Sequence, residues 1–192
     1  FTFAVMVTGM LWGHLITTIG VSRPISNLEA IRVHVVSWLL KYIPGQAGSL
    51  LSKVAWARNE KIPQKAVVTS ILYENIFLTS SSILLSIPFI GLAVVGDIGA
   101  EKGLLVPLIL ILGILPLLIP QVFTFVLSFG LRLIRKKPLD KQYSLSGANI
   151  LKNQLLFLIP RLINGLGFVF ICSIFFTPNL IEVLQFSGAY AL

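Results

Sequence analysis

From Gly103 to Gly130 the chain runs 28 residues without a charged side chain, and from Ala66 to Val95 it runs 30 with one, Glu74. A helix needs about 20 apolar residues to cross a bilayer. In hydrocarbon the backbone must satisfy its own hydrogen bonds, which leaves helices as the natural form for such runs. Only 11% of the residues are charged and mean hydropathy is +0.92, against about 25% charged in an ordinary soluble domain. These features define an all-α chain, read as a single polytopic transmembrane helix bundle. Spans are expected at about 3–19, 66–95, 103–130 and 155–176, with another opening at 181–192. The second exceeds one crossing and is expected to be tilted, or broken near Pro88 or Gly91. Pro116 and Pro120 should kink the third. Gly9, Gly13 and Gly20 suit close helix packing in the first. The chain opens at Phe1 and closes at Leu192 inside apolar segments, as a piece of a longer protein would.

The net charge is +8, and thirteen of the fifteen basic residues fall in 21–65 and in 131–154, the latter expected as a polar loop. That asymmetry is what the positive-inside rule produces, so both regions are expected on the cytoplasmic side of a multi-pass cell-membrane protein. The same rule accounts for the basicity without nucleic acid. Cys172 is the lone cysteine, so a disulfide within the chain is excluded and a packing role is expected. Two histidines and one cysteine do not make the usual zinc site, and no phosphate-binding glycine loop or Ser-His-Asp set is present. No catalytic residue, metal or cofactor is expected.

The interruption at Lys41-Tyr42-Ile43-Pro44-Gly45-Gln46 separates two short helices, expected at about 26–43 and 46–59. Neither is long or apolar enough to cross alone. They either lie on the interface or form a re-entrant pair inside the protein. His34, Ser37 and Lys41 are spaced i, i+3, i+7 before the break; Gln46, Ser49 and Lys53 repeat that spacing after it. Each half therefore presents one polar stripe, and a tight Pro-Gly turn lets both face a shared volume. The second helix begins at the break, and helix N-termini favour anions. A lipid phosphate is the natural guest for this set, with Lys41 and Lys53 supplying charge.

Glu74 sits well inside an apolar run, where a carboxylate costs about 2.5–3.5 kcal/mol at the bilayer centre unless it is paired. Arg161, on the fourth span, is the expected partner; Lys53 and Arg58 are rivals. Snorkelling to the interface is the plain alternative for Arg161. Serine and threonine on the spans, with Gln121 and Asn164, are read as packing groups.

The stretch Ser37-Trp38-Leu39-Leu40-Lys41-Tyr42-Ile43-Pro44-Gly45-Gln46, then Lys53 and Arg58, then Ala66 to Glu74, resembles the transmembrane-region family of lysylphosphatidylglycerol synthases, also called the flippase-like domain family. Gln46 stands where that family commonly has Lys. The resemblance implies a polytopic prokaryotic membrane protein that moves, or helps display, an anionic or glycosylated lipid. Its head group would be held by Lys41, Tyr42, Pro44, Gly45, Gln46, Ser49 and Lys53, with Glu74, Arg161, His34 and Arg58 as polar support within the membrane. The partners would be membrane lipids, an anionic phospholipid or a lipid-linked sugar. Glycine-rich faces would allow a homo-oligomer. The alternative is a non-transporting scaffold that anchors a cytosolic aminoacyl-transferase or glycosyltransferase domain.

Overall fold

The computed structural model describes residues 2–42, 47–98 and 141–175 and the isolated positions 108, 112, 122 and 125; side chains in the second stretch are described to Ile87. The expected spans 103–130 (but for those four positions) and 181–192, and the break residues Pro44, Gly45 and Gln46, lie outside the described residues. Every regular element among the described residues is helical. They are α1 (Thr2–Thr18), α2 (Asn27–Leu40), α3 (Ala47–Asn59), α4 (Gln64–Ile98), a 3-10 turn at Lys141–Tyr143, α5 (Gly147–Leu156) and α6 (Leu158–Cys172).

Local chemistry sets the helix ends. The Ser26 hydroxyl accepts from the amide of Glu29, giving α2 the serine-to-glutamate spacing of a capping box, and Ser146 opens α5 in the same way on Asn149. Glu29 also meets Arg23, which bridges to Glu60 beyond α3, with both contacts at 3.0 Å. At the end of α3, Lys61 adopts φ 57°. The Ile62 amide then reaches back to the Ala57 carbonyl and that of Lys61 to Arg58. This pair of bonds is a Schellman ending, and Pro63 directly after it prevents the helix from continuing.

The long run expected to be tilted, or broken near Pro88 or Gly91, is one unbroken helix, α4, to Ile98; one missing amide donor does not end a helix whose other bonds persist. The region expected as polar loop to residue 154 is helical from Gly147. Asn153 and Gln154 face inward: Gln154 accepts from Ser80 at 2.6 Å and donates to Ser81 at 2.9 Å, so α5 is clamped to α4. The helix is interrupted only at Phe157. Pro160 supplies no amide for the Leu156 carbonyl and its ring crowds that carbonyl, which places the joint there.

Two helical stretches, Gln64–Ile87 and Gly147–Cys172, are long and apolar enough to cross a membrane. At 24 and 26 residues they are about 36 and 39 Å long at 1.5 Å per residue, against a hydrocarbon core of about 30 Å. The core has two parts. Trp12, Ile16, Ala30, Ala57, Ile62 and Val67 join α1, α2 and α3 to the start of α4. Leu15, Tyr73, Phe77, Ile150 and Phe157 join α1 and α4 to α5. α1 and α2 pack closely, glycine to backbone. A Cβ on Gly13 would stand 2.5 Å from that of Ala30, and one on Gly9 would stand 2.9 Å from the Ile31 Cα.

The hairpin of α2 and α3 is built inside out for water. His34, Ser37 and Lys53 are buried, while Leu28 is 77% exposed and Val36, Leu39 and Leu51 are exposed as well. On α5 and α6 the exposed residues Leu151, Leu155, Ile159, Leu162, Leu166 and Phe170 recur every three or four positions, a continuous apolar stripe down one side.

Candidate functional site

The polar stripes of α2 and α3 share one cavity of about 390 Å³, enclosed with α1, α4 and α6. His34, Ser37 and Lys41 line it from α2 and its cap, and Ser49 and Lys53 from α3. The Ser37 hydroxyl donates to the Ser49 carbonyl at 2.8 Å and pins the two helices together beside it. Glu74 and Asn75 of α4, Arg161 and Asn164 of α6 and Thr8 of α1 complete the polar lining.

At its floor, Lys53 Nζ donates to Glu74 Oε2 at 2.6 Å; both side chains are almost fully buried, at 4% and 7% exposure. The ammonium also lies 4.5 Å from the centre of the Trp12 ring. That ring is fixed by its own N–H, which donates to Ser70 at 3.0 Å, and by the edge of Trp56. The charge is thus held by a carboxylate on one side and an aromatic face on another, an arrangement that offsets part of the cost of desolvation.

His34 Nδ1 lies 3.4 Å from Glu74 Oε1. Burial pushes the imidazole down to about 4; Glu74 pulls it up and Lys53 pushes it further down. The ring is therefore neutral near pH 7, and the contact is not an ion pair despite its distance. His34 Nδ1 is buried without a hydrogen-bond partner, as is Asn164 Oδ1 on the opposite wall. Two orphaned polar atoms on one cavity are unusual, because buried polar groups are nearly always satisfied.

Arg161, expected from sequence as the partner of Glu74, lines the cavity but sends its Nε to the Leu78 carbonyl at 3.3 Å, one turn further along α4. Lys53 holds the carboxylate in its place. Arg58 is corrected more fully: it is exposed and does not line the cavity. It lies five residues from Lys53, about 140° round the helix at 3.6 residues per turn, so the two cannot share a face. Lys41 is exposed at the rim with its Nζ 4.6 Å from the Trp38 ring centre, and Tyr42, also exposed, is the second ring near it. Trp12 and Thr8 had no signal in the sequence; they resemble any other residues of an apolar helix. Asn164, read there as packing, faces the cavity with its oxygen unsatisfied.

The fold and site define an all-helical protein with two helices long and apolar enough for a membrane and a buried ion pair beside a polar cavity. Among the described residues no cluster of ligating side chains suited to a metal is present. Comparisons with protein-family models, curated proteins and solved structures returned no match.

Proposed function

We propose that this is a multi-pass, flippase-like cell-membrane protein that translocates or displays an anionic or glycosylated lipid, with the lipid head group held in the cavity among α1, α2, α3, α4 and α6. The observation that carries the reading is the charge of the lining: Lys41, Lys53 and Arg161, with Glu74 as the one acid lining it among the described residues. An excess of cationic side chains in a concave, partly desolvated site attracts phosphate. The inside-out hairpin supports membrane embedding, since burying His34 and Lys53 while exposing Leu28 and Leu39 suits an apolar surrounding. The apolar stripe on α5 and α6 supports it too, being longer than soluble monomers usually leave uncovered. The basic segments 21–65 and 131–154 would face the cytoplasm.

Translocation of a fluorescent phosphatidylglycerol across proteoliposome membranes tests the proposal. Lys41 is exposed, so charge reversal there leaves the fold intact. Lys41→Glu is expected to slow translocation about tenfold by repelling the anionic head group. Equal rates in wild type and Lys41→Glu would count against the head-group site. No translocation by the wild-type protein would favour a scaffold that anchors an aminoacyl-transferase or glycosyltransferase domain.

A further inference from the structure

We propose that the guest of this cavity carries free hydroxyl groups beside its phosphate, as a glycerol head group does, and that His34 and Asn164 select it by those hydroxyls. The inference rests on the reading of the cavity as a head-group site and adds the class of head group it takes.

The hydrogen bonds of the lining carry it. Three of the neutral polar side chains around the cavity spend hydrogens within the protein. Thr8 Oγ1 donates to the Ala4 carbonyl at 2.9 Å, the Ser37 hydroxyl to the Ser49 carbonyl at 2.8 Å and the Asn75 amide to the Ile71 carbonyl at 2.8 Å. His34 Nδ1, from α2, and Asn164 Oδ1, from α6, are buried and have no partner. Among the described residues one other side-chain atom is in that state, Asn153 Oδ1, and Asn153 does not line the cavity. Buried polar groups are nearly always paired, so two orphans lining one cavity point to a ligand that pairs them.

The kind of group follows from what each orphan can give or take. A neutral imidazole nitrogen accepts or donates according to its tautomer, and a half-turn of an amide exchanges its acceptor for its donor. A phosphodiester oxygen only accepts and an ammonium only donates, so each fails against one of these arrangements. A hydroxyl does both and pairs with either atom in every arrangement. Lys41, Lys53 and Arg161 supply the charge for the phosphate; the orphans ask for something that charge does not provide. A guest without hydroxyls strips water from the two atoms and returns nothing, which costs affinity. The volume of about 390 Å³ lies near the lower end of ligand sites, about 300–1,000 Å³. It suits a glycerol-sized group better than an extended sugar chain.

Titration calorimetry of the solubilised full chain compares dihexanoyl-phosphatidylglycerol with dihexanoyl-phosphatidylmethanol, which has the same acyl chains and phosphodiester charge but no hydroxyl. The wild type is expected to bind phosphatidylglycerol about twentyfold more tightly, at about fivefold for each neutral hydrogen bond. Asn164→Leu stays close to the side-chain volume and removes one partner. It is expected to lower the preference to about fivefold, the remainder resting on His34, with the affinity for phosphatidylmethanol unchanged. Equal wild-type affinities would overturn the hydroxyl reading and leave the head-group site standing, and that comparison needs no variant. A full preference retained in Asn164→Leu would overturn the role of Asn164. Binding of neither lipid by the wild type would overturn the head-group reading itself. Glycerophosphoglycerol, the same head group without acyl chains, is expected to compete weakly; competition as strong as that of the lipid would overturn the lipid as guest in favour of a soluble polyol phosphate.

Discussion

Replacing Glu74 by Leu is expected to cost about 3–5 kcal/mol of unfolding free energy, the penalty for leaving one member of a buried ion pair without the other. The Lys53 ammonium would keep only the Trp12 face, worth about 2 kcal/mol when desolvated. Removing both charges at once is a different matter. The Lys53→Met, Glu74→Leu double variant is expected to recover most of the loss, because two apolar side chains of similar volume replace two desolvated ions. Denaturant unfolding in detergent micelles of wild type, the double variant and both single variants, Lys53→Met included, gives four stabilities and, through the double-mutant cycle, the coupling between the two positions. A Glu74→Leu protein as stable as wild type would show that the pair is not held in a desolvated interior. A double variant as weak as the single one would show that its stability depends on something other than charge balance.

The second large effect lies at the α1–α2 contact. Gly13→Ala is expected to destabilise by about 1–3 kcal/mol, the usual cost of overpacking a fitted contact. The added methyl would stand 2.5 Å from the Cβ of Ala30. That clash is between two side-chain atoms, so Gly13→Ala combined with Ala30→Gly should restore much of the stability, less about 1 kcal/mol for glycine inside a helix. Gly9 offers no such remedy. Its added methyl would meet the Cα of Ile31 at 2.9 Å, and no side-chain exchange removes backbone. Thermal unfolding of Gly9→Ala, Gly13→Ala and the swapped pair distinguishes the two cases. Failure of the swap to recover stability would mean that the helices do not approach as closely as described.

These two sites also show how far the sequence could be read. The charge-free runs announce helices, because hydrocarbon leaves the backbone little else, and α1 and α4 lie close to where that logic places them. The hairpin was legible from His34, Ser37, Ser49 and Lys53, whose spacing marks one face of each helix. The partner of Glu74 was not legible. Three cations were within reach on paper, and only the packing of α3 on α4 selects Lys53, while helical phase turns Arg58 away. The start of α5 was hidden for a related reason. Asn153 and Gln154 read as loop residues until Ser80 and Ser81 are seen to face Gln154, so its polarity belongs to an interhelical clamp. Trp12 shows the limit most plainly: its role depends on a cation that arrives from another helix.

That position of Trp12 gives the cavity its own optical gauge. Indole emission responds to nearby charge, and the Lys53 ammonium stands 4.5 Å from the ring centre. The chain has only two other tryptophans, Trp38 and Trp56. With both changed to Phe, the remaining emission comes from the ring beneath the ion pair. Any guest that draws Lys53 off Glu74 should shift that emission, whereas a guest bound elsewhere should leave it unchanged. The aromatic face that shelters a buried charge would thus also report, in light, whether that charge has moved.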